Sequence, residues 1–143
     1  EMRFLVIDLG SKTIGLAMSD PTFTIATSYK TIFFKDEDYA STIDEIKNIV
    51  KEYGVSKIIL GLPKNMNNTL GERALITMKY KELLENNLNI PVIMYDERLT
   101  SVISNSILIE ADISRKKRKK SVDSIAAQVI LQDYLNKEKN DNE

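Results

Sequence analysis

Three short stretches of this chain are apolar almost without a break: RFLVIDL at 3–9, VSKIILGLP at 55–63 and the PVIMY core of IPVIMYDE at 90–97. Runs of that length and continuity fit strands buried on both faces, a condition met when helices cover a sheet from either side. Between the runs the period changes. Tyr39, Ile43, Ile46, Ile49, Val50 and Tyr53 recur at helical spacing after an acidic start, and Gly54 follows as a C-cap. Glu72 to Glu85 reads as a second helix, Ser101 to Glu110 as a third, and the segment around Asp123 as a fourth. Ahead of the first helix, Gly10 breaks the opening run and TIGLAMSD reads as a strand returning from a short turn. Asp20-Pro21 makes the next turn, and Phe23 to Phe34 reads as a third strand, irregular in its middle.

Hairpin-connected strands followed by strand–helix alternation imply an α/β fold: a mixed five-stranded sheet with helices packed on both faces. In such sheets ligands collect beyond the carboxyl ends of the central strands. The chain of 143 residues is long enough for one buried core, with 43% hydrophobic residues, and no linker divides it. We expect one domain over residues 2–136 and a polar, flexible tail over 137–143. The apolar runs are far too short to cross a bilayer, and no membrane partner is expected.

What the chain lacks narrows its chemistry. There is no cysteine and no histidine. Thiol catalysis, Ser-His-Asp catalysis and Cys- or His-ligated metals are therefore excluded, and the missing cysteines fit a reducing cytoplasm. Any metal must be held by oxygen, which points to magnesium or manganese.

Charge is distributed unevenly. The net value is −1, yet RKKRKK at Arg115 to Lys120 places six consecutive cations ahead of the last helix, so the remainder carries −7. Such a run is often just a solvated loop. It is equally suited to gripping a polyanion.

Several carboxylates sit among apolar neighbours. Asp8 lies between Ile7 and Leu9 in the first strand, where an ionised group costs several kcal/mol unless compensated. Capping the turn at Gly10-Ser11 is one explanation. Asp96 and Glu97 end the last strand, and alternation sends them to opposite faces, so at most one joins Asp8. Pairing with Arg98 would also account for either. At about 100° per residue, Asp123 projects between Ala126 and Ala127, close to Ile130 and Tyr134. Asp133 falls in the same arc without an evident role. Converging carboxylates cannot all stay ionised without a cation between them. Two magnesium ions roughly 3.5–4 Å apart, bridged by carboxylates, form a site for in-line phosphodiester hydrolysis.

D-L-G at Asp8 to Gly10, G-L-P-K-N-M at Gly61 to Met66, D-E-R-L-T at Asp96 to Thr100 and D-S-I-A-A at Asp123 to Ala127 together resemble the YqgF family, also called RuvX. The resemblance spans nearly the whole chain in order. It implies a ribonuclease H-like fold, kinship with the RuvC resolvases, and a metal-binding, catalytic triad of Asp8, Glu97 and Asp123, which selects Glu97 over Asp96 where strand periodicity does not; Asp96 stays open as a further candidate ligand. It also implies a bacterial nuclease using Mg2+ or Mn2+, as two ions. Two substrates go with the family: the 5′ end of the precursor of 16S ribosomal RNA, and Holliday junctions. Structured RNA or branched DNA and ribosomal precursor particles are then the expected partners, with the protein a monomer or weak homodimer. Candidate phosphate contacts are Lys12, Lys64, Asn65, Arg98, Arg115, Lys116, Lys117, Arg118, Lys119 and Lys120. The chain departs from the family at Asn67-Asn68, where Asp-Gly is usual, and at Ser101, where a second threonine is usual.

Two rival readings come from other classes. D-L-G-S-K-T-I-G also resembles the first phosphate loop of sugar kinases and actin-like ATPases, but those bind ATP between two domains and this chain holds one. A non-catalytic nucleic-acid-binding module would use the basic run alone and leave Asp8, Glu97 and Asp123 together by accident.

Overall fold

The computed structural model describes residues 2–10, 12–35, 38–62, 71–96 and 118–141, with the side chains of 125–138 described in the last segment. β1 (Arg3–Leu9), β2 (Thr13–Ser19) and β3 (Ala26–Phe33) form an antiparallel meander. One 3-10 turn (Tyr39–Thr42) leads into α1 (Ile43–Tyr53), followed by β4 (Val55–Leu62), α2 (Glu72–Asn87), β5 (Val92–Asp96) and α3 (Arg118–Asp141). The sheet order is β3-β2-β1-β4-β5, with β1, β4 and β5 parallel. This is the mixed five-stranded sheet that the strand runs imply. The helix expected over 101–110 lies outside the described residues.

Strand alternation divides the core in two. Leu5, Ile7, Leu9, Ile58, Leu60 and Val92 pack with Ile46 and Ile49 of α1 and Tyr80 and Leu84 of α2. Phe4, Val6, Ala17, Ile59 and Tyr95 pack instead with Ala127, Ile130, Leu131 and Leu135 of α3. The sheet is thus the middle of three layers. Gly54 ends α1 in the left-handed conformation (φ 65°, ψ 42°), a position that favours glycine, and its N–H donates to Val50 O. Tyr80 ties α2 to the 3-10 turn through a 2.6 Å hydrogen bond with the Thr42 hydroxyl. Burial pushes the Tyr80 phenol up to about 12, so it stays a neutral hydroxyl. Among the described residues no helix is long and apolar enough to cross a membrane.

β3 begins at Ala26, three residues later than its composition suggests, because Asp20 captures the backbone ahead of it. The Asp20 carboxylate accepts N–H groups from Thr22 (3.2 Å), Thr24 (2.8 Å) and Ile25 (2.7 Å). Those donors are satisfied in a turn and are not offered to a strand. Phe23, at φ 59°, is turned back within this loop and stacks 4.4 Å from Phe4.

The Ile25 N–H, then the Thr22 hydroxyl, hold the Asp20 carboxyl well below the usual carboxylate range. A depressed native pKa contributes stability that is present above the unfolded value, about 4, and is lost as pH falls below it. Asp20→Asn is therefore expected to flatten the fall in melting temperature below about pH 4. Parallel acid-limb slopes for the two proteins would show that the turn contributes nothing by this route.

α3 runs to Asp141, whereas the polar composition from residue 137 onward reads as a tail. Lys137 pairs with Asp133 at 3.2 Å, and Glu138 meets Lys57 at 3.5 Å, so the start of that segment is tied to the helix and the sheet. Two glutamines seat the helix on the edge of the sheet. Gln132 accepts the Ala26 N–H (2.9 Å) and donates to Thr24 O (3.1 Å), while Gln128 donates to Ala26 O (3.2 Å).

Candidate active site

Asp8 is the next-to-last residue of β1 and is half-buried. Alternation places it with Phe4 and Val6, on the face covered by α3. Its antiparallel partner on β2 is Gly15. On β4, Ile7 pairs with Leu60, which brings Gly61 level with Asp8. The carboxylate is thus flanked on both neighbouring strands by residues without side chains. This gap opens at the end of the sheet where the parallel strands β1, β4 and β5 all finish, near Leu9, Leu62 and Asp96.

Asp96 and Asp8 are on opposite faces. Val92 and Met94 belong with the α1/α2 core, Ile93 and Tyr95 with the α3 core, so Asp96 falls on the α1/α2 side, beside Leu62. Glu97 follows immediately and lies outside the described residues. Asp123 occupies the helical backbone of α3, four residues before Ala127, which is fully buried against the sheet; the Asp123 side chain is outside the described residues. Among the described residues no three carboxylates come together.

Lys12 is exposed on the turn that follows Asp8. Lys64, Asn65, Arg98, Arg115, Lys116 and Lys117 lie outside the described residues. Arg118, Lys119 and Lys120 form the first turn of α3, so half of the cationic run is helix where a loop is expected. Arg and Lys are good helix formers, and no glycine or proline intervenes to stop the helix from starting early.

Asp133, without a role in the sequence reading, has a structural one. It accepts the Tyr95 hydroxyl and pairs with Lys137. Burial, and then the Asp133 carboxylate, raise the Tyr95 phenol above its ordinary value, so the hydroxyl keeps its proton. The contact that sequence reasoning overlooks is Arg73, in the first turn of α2, which donates to Leu9 O at 2.9 Å, one residue beyond Asp8. A signal was available: a cation at a helix N-terminus opposes the macrodipole and calls for a compensating partner.

Comparison with known proteins accords with this architecture. A family described as "RuvX: Holliday junction resolvase" matches residues 2–137. A protein of Listeria monocytogenes serotype 4b named "Putative pre-16S rRNA nuclease" is 48% identical over 134 residues, covering 94% of this chain and 97% of its own. One of the same name from Clostridium acetobutylicum is 49% identical over 135 residues, covering 94% and 98%. In three dimensions, the chain is similar to Thermus thermophilus RuvC solved with a Holliday junction substrate, at a TM-score of 0.68 over 98% of this chain and 97% of that one. Identity there is 10%, so the likeness speaks for the ribonuclease H-like fold alone. With a family match over nearly its whole length and relatives at almost half identity, the chain belongs to the RuvX family.

Proposed function

We propose that this protein is a metal-dependent nuclease that hydrolyses phosphodiester bonds at the 5′ end of the precursor of 16S ribosomal RNA. The observation that carries the reading is the placement of Asp8. It is a half-buried carboxylate between two glycine positions, at the carboxyl end of a central strand, on the face covered by the helix that bears Asp123. The names of the RuvX relatives supply the substrate.

The donor chemistry fits a hard divalent cation, because a chain without histidine or cysteine offers oxygen ligands. Asp8, Glu97 and Asp123 would hold Mg2+ or Mn2+, as two ions. Asp96 lies on the face opposite Asp8, so we give it no ligand role, and Glu97 is taken as the ligand from the D-E-R-L-T motif of the family. Bound there, such ions supply charge neutralisation at the phosphate and an activated water. The three carboxylates set where the scissile phosphate can approach. Arg115 to Lys120, with Lys12, Lys64, Asn65 and Arg98, hold neighbouring phosphates and offset repulsion between the acidic site and its substrate. A cytoplasmic monomer acting on ribosomal precursor particles satisfies this scheme.

Resolution of Holliday junctions is the second reading, favoured by the description of the family. It would require two active sites to cut strands symmetrically, hence a homodimer. The deciding experiment offers the purified protein a precursor-rRNA fragment and a four-way DNA junction side by side, with Mg2+ or Mn2+. Metal-dependent cutting of the RNA alone is expected. Cutting of the junction alone would transfer the reading to DNA, and binding without cutting of either would favour the non-catalytic module.

Binding should also be strongly salt-dependent. Six phosphate contacts would weaken affinity about a thousand-fold between 50 and 200 mM salt. Changing Arg118, Lys119 and Lys120 together to glutamine should reduce the log–log slope by roughly 2–3. An unchanged slope in that variant would remove the first turn of α3 from the phosphate grip.

A further inference from the structure

We propose that Arg73 is a positioning residue for Asp8, holding the end of β1 against the first turn of α2. The proposal rests on the reading of Asp8 as a metal-binding carboxylate.

The backbone at this corner has little freedom of its own. The Gly10 N–H donates to Thr13 O at 2.7 Å, closing the β1–β2 hairpin. A Cβ at Gly10 would come within 2.9 Å of Thr13 O and 3.0 Å of its hydroxyl, so the turn is tight. Alternation along an antiparallel ladder then directs the N–H and C=O of Leu9 away from β2 and toward β4. There the β1–β4 pairing ends at Ile7 and Leu60. The Leu9 carbonyl lies past the last rung, and a backbone acceptor in a half-buried place needs a donor. Arg73 Nη2 supplies it at 2.9 Å, across 64 residues of sequence.

The far end of this tie is firm. Arg73 sits between Glu72 and the fully buried Ala74, its own carbonyl accepts the Thr77 hydroxyl at 2.9 Å, and Thr77, Tyr80 and Leu84 seat α2 in the core. Chain from Asp8 to the bonded carbonyl is a single residue. Any slack at Leu9 would therefore move the Asp8 carboxylate along the strand axis. A planar guanidinium suits this task better than an ammonium, because its donors are fixed relative to one another and the stem need not be frozen as a point charge.

The test compares wild type with Arg73→Gln, Arg73→Lys, Asp8→Asn and Lys57→Met. Lys57 bonds Tyr134 (3.0 Å) far from Asp8, at the other end of the sheet, so Lys57→Met reports general loosening. Mn2+ alone is titrated into each protein, the unbound ion is followed by its paramagnetic resonance, and melting temperatures are recorded alongside. Arg73→Gln is expected to bind Mn2+ about 10–100-fold more weakly, as outer-shell changes do, with partial recovery in Arg73→Lys. Lys57→Met should melt lower yet bind as wild type does. Wild-type Mn2+ affinity in Arg73→Gln, with Asp8→Asn impaired, would overturn the positioning role and leave the metal site standing. An equal loss in Lys57→Met would overturn it as well, by reducing it to loosening of the fold. Undiminished binding in Asp8→Asn would sink the metal reading and the proposal with it.

Discussion

Asp8→Asn is expected to abolish metal-dependent cleavage, by at least about a thousand-fold, while leaving the protein folded. The exchange keeps the shape of the side chain and removes its charge. Divalent ions at such a site contribute several kcal/mol of charge stabilisation in the transition state, and about 4 kcal/mol corresponds to a thousand-fold in rate. The neighbours of Asp8 make it a clean experiment. Gly15 and Gly61 have no side chains to rearrange around the amide, and Val6 and Phe4 lie further back on the same face.

A second readout needs no substrate. Saturating Mg2+ should raise the melting temperature of the wild type, because a ligand bound only by the native state stabilises it by about 2.7 kcal/mol at a hundred times its dissociation constant. For a domain of this size that is roughly 5–10 °C. Asp8→Asn should show little of this shift. A variant that still cuts at the wild-type rate would end the assignment of Asp8.

The largest expected loss of stability comes from Leu131→Ala. Leu131 is fully buried at the centre of α3 and packs in the core shared with Val6, Ala17, Ala127, Ile130 and Leu135. Truncation removes three carbons from a close-packed interface and leaves a void that the sheet cannot fill, at about 2–5 kcal/mol. That is a fall of roughly 5–20 °C in melting temperature. Leu75→Ala, on the outer surface of α2 at 53% exposure, is the control and should change stability by no more than about 0.5 kcal/mol. Activity should drop with Leu131→Ala even below its melting point, since the helix that loses its anchor also carries Asp123, a metal ligand on the proposed reading, and small displacements at a reacting centre are costly. A loss under about 1 kcal/mol would mean that α3 is held by something other than this face.

The sheet was readable from composition because its three parallel strands are buried on both sides, and burial on both sides leaves a continuous apolar run. The cap at Gly54 was readable for a local reason, the left-handed turn it must make. What escaped depends on partners distant in sequence or on competition for the same donors. β3 starts late because Asp20 binds the N–H groups of Thr22, Thr24 and Ile25, and no periodicity records that contest. That Asp96 lies on the face opposite Asp8 could be decided only when Tyr95 was seen to pack with Val6. Arg73 drew no notice in the sequence, because its partner is a main-chain carbonyl 64 residues earlier. Asp133 looked misplaced until Tyr95 and Lys137 met it.

The glutamine contacts of α3 bear on the order in which the protein can be made. Gln132 and Ala26 are 106 residues apart, so the first three strands leave the ribosome long before the helix that covers one of their faces. Until then Val6, Ala17 and Ala26 present an open apolar surface. Chains fold as they emerge, N-terminal parts first, and uncovered strands are prone to aggregate. A chain arrested before α3 should therefore be recovered mainly with chaperones or in aggregates. On the proposed reading, a hydrolytic centre that needs Asp123 would stay silent until α3 has emerged, which would spare the translating ribosome from a nuclease tethered to it.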